Sequence, residues 1–195
     1  MKPAIFLDRD GTLIEHVHYL SKPEDVRIVN GGAQAVQQLR EGGFAIIIVT
    51  NQSAVGRGML TEADLAEVHR VMCDQLANEG ASVDGIYYCT HVPTIKDQSV
   101  IEHPDRKPAP GMLIRAAQES NLDLSRSWMV GDSRSDVLAG HNAGCLGSIL
   151  VRTGYGKQTE QKHPELRPVV DDLPAAANLI LKQHLESPSH GSTPS

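Results

Sequence analysis

A chain of 195 residues with 40% hydrophobic and 22% charged side chains has the composition of one soluble globular domain, away from disordered and membrane classes. The formal net charge of −6 argues against a broad nucleic-acid surface, which needs clustered cations to displace counterions from phosphates, but leaves small anionic ligands open through local positive groups. Cys73, Cys89 and Cys145 form no paired framework, and no basic segment precedes an apolar signal core at the N-terminus, so the expectation is a reduced, cytoplasmic protein.

Along the chain, Ala4-Ile5-Phe6-Leu7 is an apolar run ending at charged residues, which predicts a buried parallel strand delivering Asp8 to its carboxyl end. Residues Ala33 to Leu39 carry helical spacing, and Gly42-Gly43 stop that helix before a second strand, Phe44 to Val49. That strand is the longest apolar run and is far too short to cross a bilayer, so no membrane span is expected. Thr61 and Asp64 predict a helix cap, after which Leu65, Val68, Met72 and Leu76 mark one apolar face ending near Gly80. Ile86 to Cys89, Ser127 to Val130 and Ser148 to Val151 read as further strands; Pro110 to Ser120, Val137 to Ala143 and Ala175 to Leu185 read as helices. The alternation predicts an α/β fold with a doubly wound parallel sheet.

Two stretches break the pattern. His16 to Val29 reads as a flap or hairpin after the first strand, and Val92 to Pro110, with four prolines and no apolar period, as a long loop. Both belong at carboxyl ends of strands, where open parallel sheets bind ligands. Ser187 to Ser195, rich in Ser, Pro and His, reads as a disordered tail after a single domain spanning 1–186.

Four polar segments follow predicted strands or open a helix: Asp8-Arg9-Asp10-Gly11-Thr12, Val49-Thr50-Asn51-Gln52, Arg106-Lys107-Pro108, and Gly131-Asp132-Ser133-Arg134-Ser135-Asp136. A strand period of two predicts that Asp8 and Asp10 face the same side. An isolated Asp-x-Asp-Gly serves equally well to begin a turn; the other three segments favour chemistry. Together they supply a nucleophile, a proton donor, a cation and hydrogen-bond donors for phosphate oxygens, the needs of phosphoryl transfer.

In these segments and their order the sequence resembles the haloacid dehalogenase superfamily of phosphatases. The resemblance implies Asp8 as covalent nucleophile, Asp10 as general acid and base, and Lys107 as the cation beside them. It also implies Mg2+ held by Asp8, the Asp10 carbonyl and Asp132 with support from Asp136, and phosphate donors at Thr50 and Asn51. The runs Thr50 to Gly58 and Arg106 to Met112 look like the heptose bisphosphate and histidinol-phosphate phosphatase branch, which lacks a large cap domain. His16, His18 and Tyr19 in the flap, with Gln52, Ser53, Arg57 and Arg106, are then candidates for substrate recognition.

This branch often binds a structural zinc through Cys-x-His followed by Cys-x-Cys. Here Cys89 and His91 keep the first pair while His103 and Asp105 occupy the second, leaving one sulfur ligand, so loss of zinc is favoured over a Cys-His-His-Asp site. Ser133 stands where relatives often place a lysine that contacts substrate. The expected activity is removal of the 7-phosphate of D-glycero-D-manno-heptose 1,7-bisphosphate by a monomer. Histidinol phosphate is the second substrate weighed; a nucleic-acid 3′-phosphatase and a silent phosphate-binding module rank below it.

Overall fold

The computed structural model describes residues 1–17, 20 and 22–186. The apolar run Ala4–Leu7 forms strand β1, and all four side chains are buried because helices cover both faces: Ile5 and Leu7 enter one core, Ala4 and Phe6 the other. Helix α1 (Gly32–Glu41) leads into β2 (Ala45–Asn51), whose Ile46 and Ile48 join the first core and Ala45, Ile47 and Val49 the second. A single helical turn, α2 (Ser53–Gly56), precedes α3 (Glu62–Asn78). Thr61 and Asp64 close the expected capping box on α3, and Leu65, Val68, Met72 and Leu76 are buried as their spacing predicts.

Strand β3 (Gly85–Cys89) and helix α4 (Gly111–Glu119) flank the proline-rich loop, which contains neither helix nor strand from Val92 to Pro110. Then follow β4 (Trp128–Gly131), α5 (Arg134–Ala143), β5 (Gly147–Val151), α6 (Gly156–Lys162), β6 (Val169–Val170) and α7 (Leu173–Glu186). The six strands form one sheet in the order β3-β2-β1-β4-β5-β6, with every pairing parallel. Helices α1, α3 and α7 contribute to the first core and α4 and α5 to the second, the doubly wound arrangement expected from the alternation.

Helix α5 begins three residues before its predicted start, because Ser133 and Asp136 cap it and Gly144, at φ 77, ends it in the left-handed region. The flap closes at its base: the Glu15 amide donates to the Arg27 carbonyl over 2.9 Å, and Val29 to Leu13 over 3.0 Å. The expected tail at 187–195 lies outside the described residues, among which no helix is long and apolar enough to cross a membrane. The strand order reverses between β1 and β4, so the crevice of this sheet opens where Asp8 and Asp132 emerge.

Candidate active site

Leu7 pairs with Val130 across β1 and β4, and the Asp8 amide donates to the Val130 carbonyl over 2.9 Å. That register sets the ends of the two strands side by side. Asp136 approaches from the first turn of α5, and ligand atoms of Asp8, Asp132 and Asp136 lie within 4.8 Å of one another. Into this group comes the buried Lys107 ammonium, which donates to Asp8 Oδ1 at 2.6 Å and the Val49 carbonyl at 2.7 Å, and pairs with Asp136 Oδ1 at 2.7 Å. All three of its N–H groups have acceptors. Burial opposes the charge, but Asp136 and Asp8 outweigh it and hold the ammonium above the ordinary lysine range.

The carboxylates feel the reverse balance. Burial pushes Asp8 up to about 7 against the pull of Lys107, with Asp136 and Asp10 adding repulsion. Burial, then Asp8 and Asp136, push Asp132 up to about 8. With all three acids ionised the group would carry more negative charge than one lysine neutralises, a repulsion that a hard divalent cation relieves.

Asp132 is held for such a ligand. Its Oδ2 accepts from the Tyr155 amide at 2.7 Å, and a Cβ on Gly11 (φ +84) or Gly154 (φ +53) would collide with that oxygen. Thr153 Oγ1 donates to the Gly11 carbonyl at 2.6 Å and ties the two glycine loops together. The fit to magnesium is good: Asp8 and Asp132 supply hard oxygens, and the crowded acids lack a second counter-charge. Asp136 is engaged differently, because its Oδ1 meets Lys107 while Oδ2 accepts from the Ser133 amide (2.9 Å) and hydroxyl (2.7 Å).

Asp10 is placed by a turn and not by the strand period expected from sequence. Strand β1 ends at Leu7, and the amides of Leu13 and Ile14 fold back onto the Arg9 carbonyl at 3.1 and 2.9 Å. Arg9, 1% exposed, grips its neighbour through Nε to Oδ2 (3.1 Å) and Nη2 to Oδ1 (3.0 Å). Behind it, Arg9 Nη1 meets His69 Nε2 at 3.0 Å. Burial first, then the Arg9 charge, pull His69 down to about 4.

Gln52 Nε2 donates to Asp10 Oδ2 at 2.9 Å and to Thr50 Oγ1 at 2.8 Å. Asn51, expected as a phosphate donor, spends one of its two amide hydrogens on the lysine loop. Its Nδ2 donates to the Lys107 carbonyl and its Oδ1 accepts from the Lys107 amide, both at 3.1 Å, so the side chain clamps the lysine backbone.

A cavity of about 640 Å³ opens over these groups and is also lined by His16, Ser53, Arg57 and Arg106. Arg106 Nη1 donates to the His91 carbonyl at 2.9 Å, and the His16 ring lies 4.3 Å from that of Tyr155. The expected sites His18 and Tyr19 lie outside the described residues. Sequence reasoning passed over Arg9, His69, Tyr155 and Thr153. A histidine on the apolar face of α3, between Leu65 and Met72, was the available signal for one of them.

The four residues weighed for zinc converge poorly. Cys89 Sγ lies 3.7 Å from His103 Nδ1, which also accepts from the Asp105 amide at 3.1 Å, while the Asp105 carboxylate turns to Arg115 at 2.8 Å. The His91 and His103 rings stack at 5.0 Å, and His91 Nε2 is buried without a hydrogen-bond partner. Among the described residues, these four do not bring three candidate ligand atoms within 4.8 Å of one another, as Asp8, Asp132 and Asp136 do.

Comparison with known proteins agrees with this geometry. The family model described as "HAD-hyrolase-like" matches residues 105–176. The chain is 38% identical over 189 residues to the D-glycero-beta-D-manno-heptose-1,7-bisphosphate 7-phosphatase of Pasteurella multocida, covering 96% of each chain. It is 39% identical to the enzyme of the same name from Yersinia pestis, covering 95% of this chain and 93% of that one. The crystal structure of D,D-heptose 1,7-bisphosphate phosphatase from B. bronchiseptica, complexed with magnesium and phosphate, superposes with a TM-score of 0.81. It is 34% identical and covers 93% of this chain and 99% of its own. The chain therefore belongs to the haloacid dehalogenase-like hydrolases, within the heptose-1,7-bisphosphate 7-phosphatase family.

Proposed function

We propose that this protein is a magnesium-dependent phosphomonoesterase that removes the 7-phosphate of D-glycero-D-manno-heptose 1,7-bisphosphate. The carrying observation is the Lys107 ammonium set between Asp8 and Asp136 at the mouth of the β1/β4 crevice, with Asp132 beside them. The names of the full-length relatives supply the substrate.

In this reading an Asp8 carboxylate oxygen attacks phosphorus as the ester P–O bond breaks, giving an aspartyl-phosphate. Asp10 delivers its proton to the departing alkoxide oxygen. It then takes a proton from the water that attacks the aspartyl-phosphate, releasing inorganic phosphate and restoring Asp8. Arg9 and Gln52 fix the Asp10 carboxylate at the cavity wall and leave a lone pair of Oδ1 to carry the proton. Lys107 offsets the charge of Asp8, Asp136 orients Lys107, and Asn51 holds its backbone. The Thr50 hydroxyl can still donate to a phosphate oxygen, since its recorded bond is one it accepts. Magnesium, held by Asp8, Asp132 and the Asp10 carbonyl, would supply Lewis-acid neutralisation of the phosphoryl oxygens.

The test is phosphate release with magnesium from heptose 1,7-bisphosphate, histidinol phosphate and a panel of sugar monophosphates. Preference for the heptose bisphosphate, lost in Asp8→Asn, is expected. A strong preference for histidinol phosphate, or activity retained in Asp8→Asn, would overturn the assignment.

A further inference from the structure

The flap has attachments of two kinds. On the α3 side it is held by burial: Leu20 and Val26 enter the first core, Val17 packs against it, and Gln75 Nε2 donates to the Val26 carbonyl at 2.9 Å. On the cavity side it comes to the surface. His16 is exposed, and its ring meets that of Tyr155 with centroids 4.3 Å apart and planes tilted by 58°. Both rings, with Val17 and Leu20, line the cavity over the phosphoryl centre. Tyr155 is itself 44% exposed, and its hydroxyl has no hydrogen-bond partner among the described residues, so neither core packing nor the hydroxyl accounts for a tyrosine here.

The backbone of Tyr155 fixes where that ring stands. Its amide donates to Asp132 Oδ2 at 2.7 Å, and its carbonyl accepts from Thr159 Oγ1 at 3.2 Å. The same Thr159 hydroxyl reaches the Asp132 carbonyl at 2.9 Å, and Thr153, two residues before Tyr155, is tied to the Gly11 carbonyl at 2.6 Å. A shift of this turn would drag the Asp132 carboxylate with it, so the ring is held in register with the phosphoryl centre.

We propose that Tyr155 is a positioning residue: its ring seats the flap against the cavity through His16, and its amide ties that seat to Asp132. That role rests on the phosphatase reading for its kinetic consequence; the seating of the flap does not. A tilted aromatic pair shifts an equilibrium by roughly two- to tenfold. A site competent only with the flap seated loses apparent affinity in proportion to the unseated fraction, so loss of the ring acts on KM and spares kcat.

The experiment follows amide hydrogen exchange at residues 15–17 of the magnesium-loaded protein, with kcat and KM for whichever phosphate ester of the panel above the wild type hydrolyses best. Tyr155→Ala keeps the backbone amide, so magnesium affinity should be unchanged, while exchange in the flap quickens and KM rises, each by roughly two- to tenfold. Tyr155→Phe, which retains the ring, should behave as the wild type. His16→Ala should reproduce Tyr155→Ala, and the double variant should be no worse than the worse single one, because both substitutions remove the same contact. Wild-type exchange in Tyr155→Ala overturns the inference, as do effects of the two substitutions that add or a parallel loss of magnesium binding. If the wild type releases no phosphate from any ester of the panel, the proposed function falls and the exchange measurements alone decide the seating of the flap.

Discussion

The Arg9 guanidinium donates to Nε2 of His69 across 3.0 Å in the interior of the protein. A guanidinium has only donors, so His69 must be neutral with its proton on Nδ1. The histidine thus steadies, from behind, the arginine that grips Asp10.

Replacing His69 by Ala leaves a buried donor without an acceptor. The expected cost is about 1–3 kcal/mol of stability, with kcat falling because Asp10 loses its fixed position. His69→Gln keeps an acceptor and should recover much of both. Denaturant titration and steady-state kinetics on the two variants check this; equal behaviour of Ala and Gln would show that the hydrogen bond does nothing.

Lys107→Ala removes the one cation from a buried acidic group. Turnover should fall by about 10²–10³, and the metal-free protein should lose about 3–5 kcal/mol, since Asp8 and Asp136 are left uncompensated. Thermal melts with and without magnesium would show the metal restoring part of that loss. A variant as stable and active as the wild type would contradict the role assigned to the ammonium.

The raised carboxyls give metal-free stability a definite slope. Asp8 and Asp132 hold protons up to about pH 7 and 8 in the folded chain but release them near their ordinary 3.8 when unfolded. The folded state therefore binds more protons across that window, and stability falls as pH rises through it. His69 works oppositely, since its lowered pKa makes stability fall with acid between 6.5 and about 4. Magnesium should thus raise the melting temperature more at pH 8 than at pH 6. Asp132→Asn should melt higher than the wild type at pH 8 without metal and gain little from its addition.

Gly154→Ala should weaken magnesium binding by about tenfold or more, because the added methyl strikes Asp132 Oδ2 and forces the carboxylate aside. Thr61→Ala, at the exposed cap of α3, should cost about 1 kcal/mol and leave kcat unchanged. Metal titration and melting of the pair separate a local collision at the site from general weakening.

What could be read from the sequence follows from where the physics is local. Asp8 and Asp132 were legible because buried parallel strands announce themselves as apolar runs and place polar groups at their ends, whereas Lys107, in a loop, was legible through the Arg106-Lys107-Pro108 segment before α4. Helix α6 was not, since Gly156–Lys162 is short and has no apolar period, and β6 comprises two residues. Arg9 escaped because arginine is ordinarily a surface residue; its burial depends on a turn that brings Asp10 alongside and on a helix that brings His69. The Asn51 clamp escaped for a similar reason, its partner being the backbone of a distant loop.

The adjacency of β1 and β4 has a consequence for how the protein comes into being. Asp8 is made early, whereas Lys107 arrives within the proline-rich loop, after β2 and α3, and Asp132 and Asp136 only with β4 and α5. A ribosome-bound or proteolysed fragment ending before β4 carries Asp8 and Lys107 without Asp132 or Asp136, so in the proposed mechanism it lacks the acids that complete the magnesium site. In that mechanism, competence waits for β4 to pair with β1.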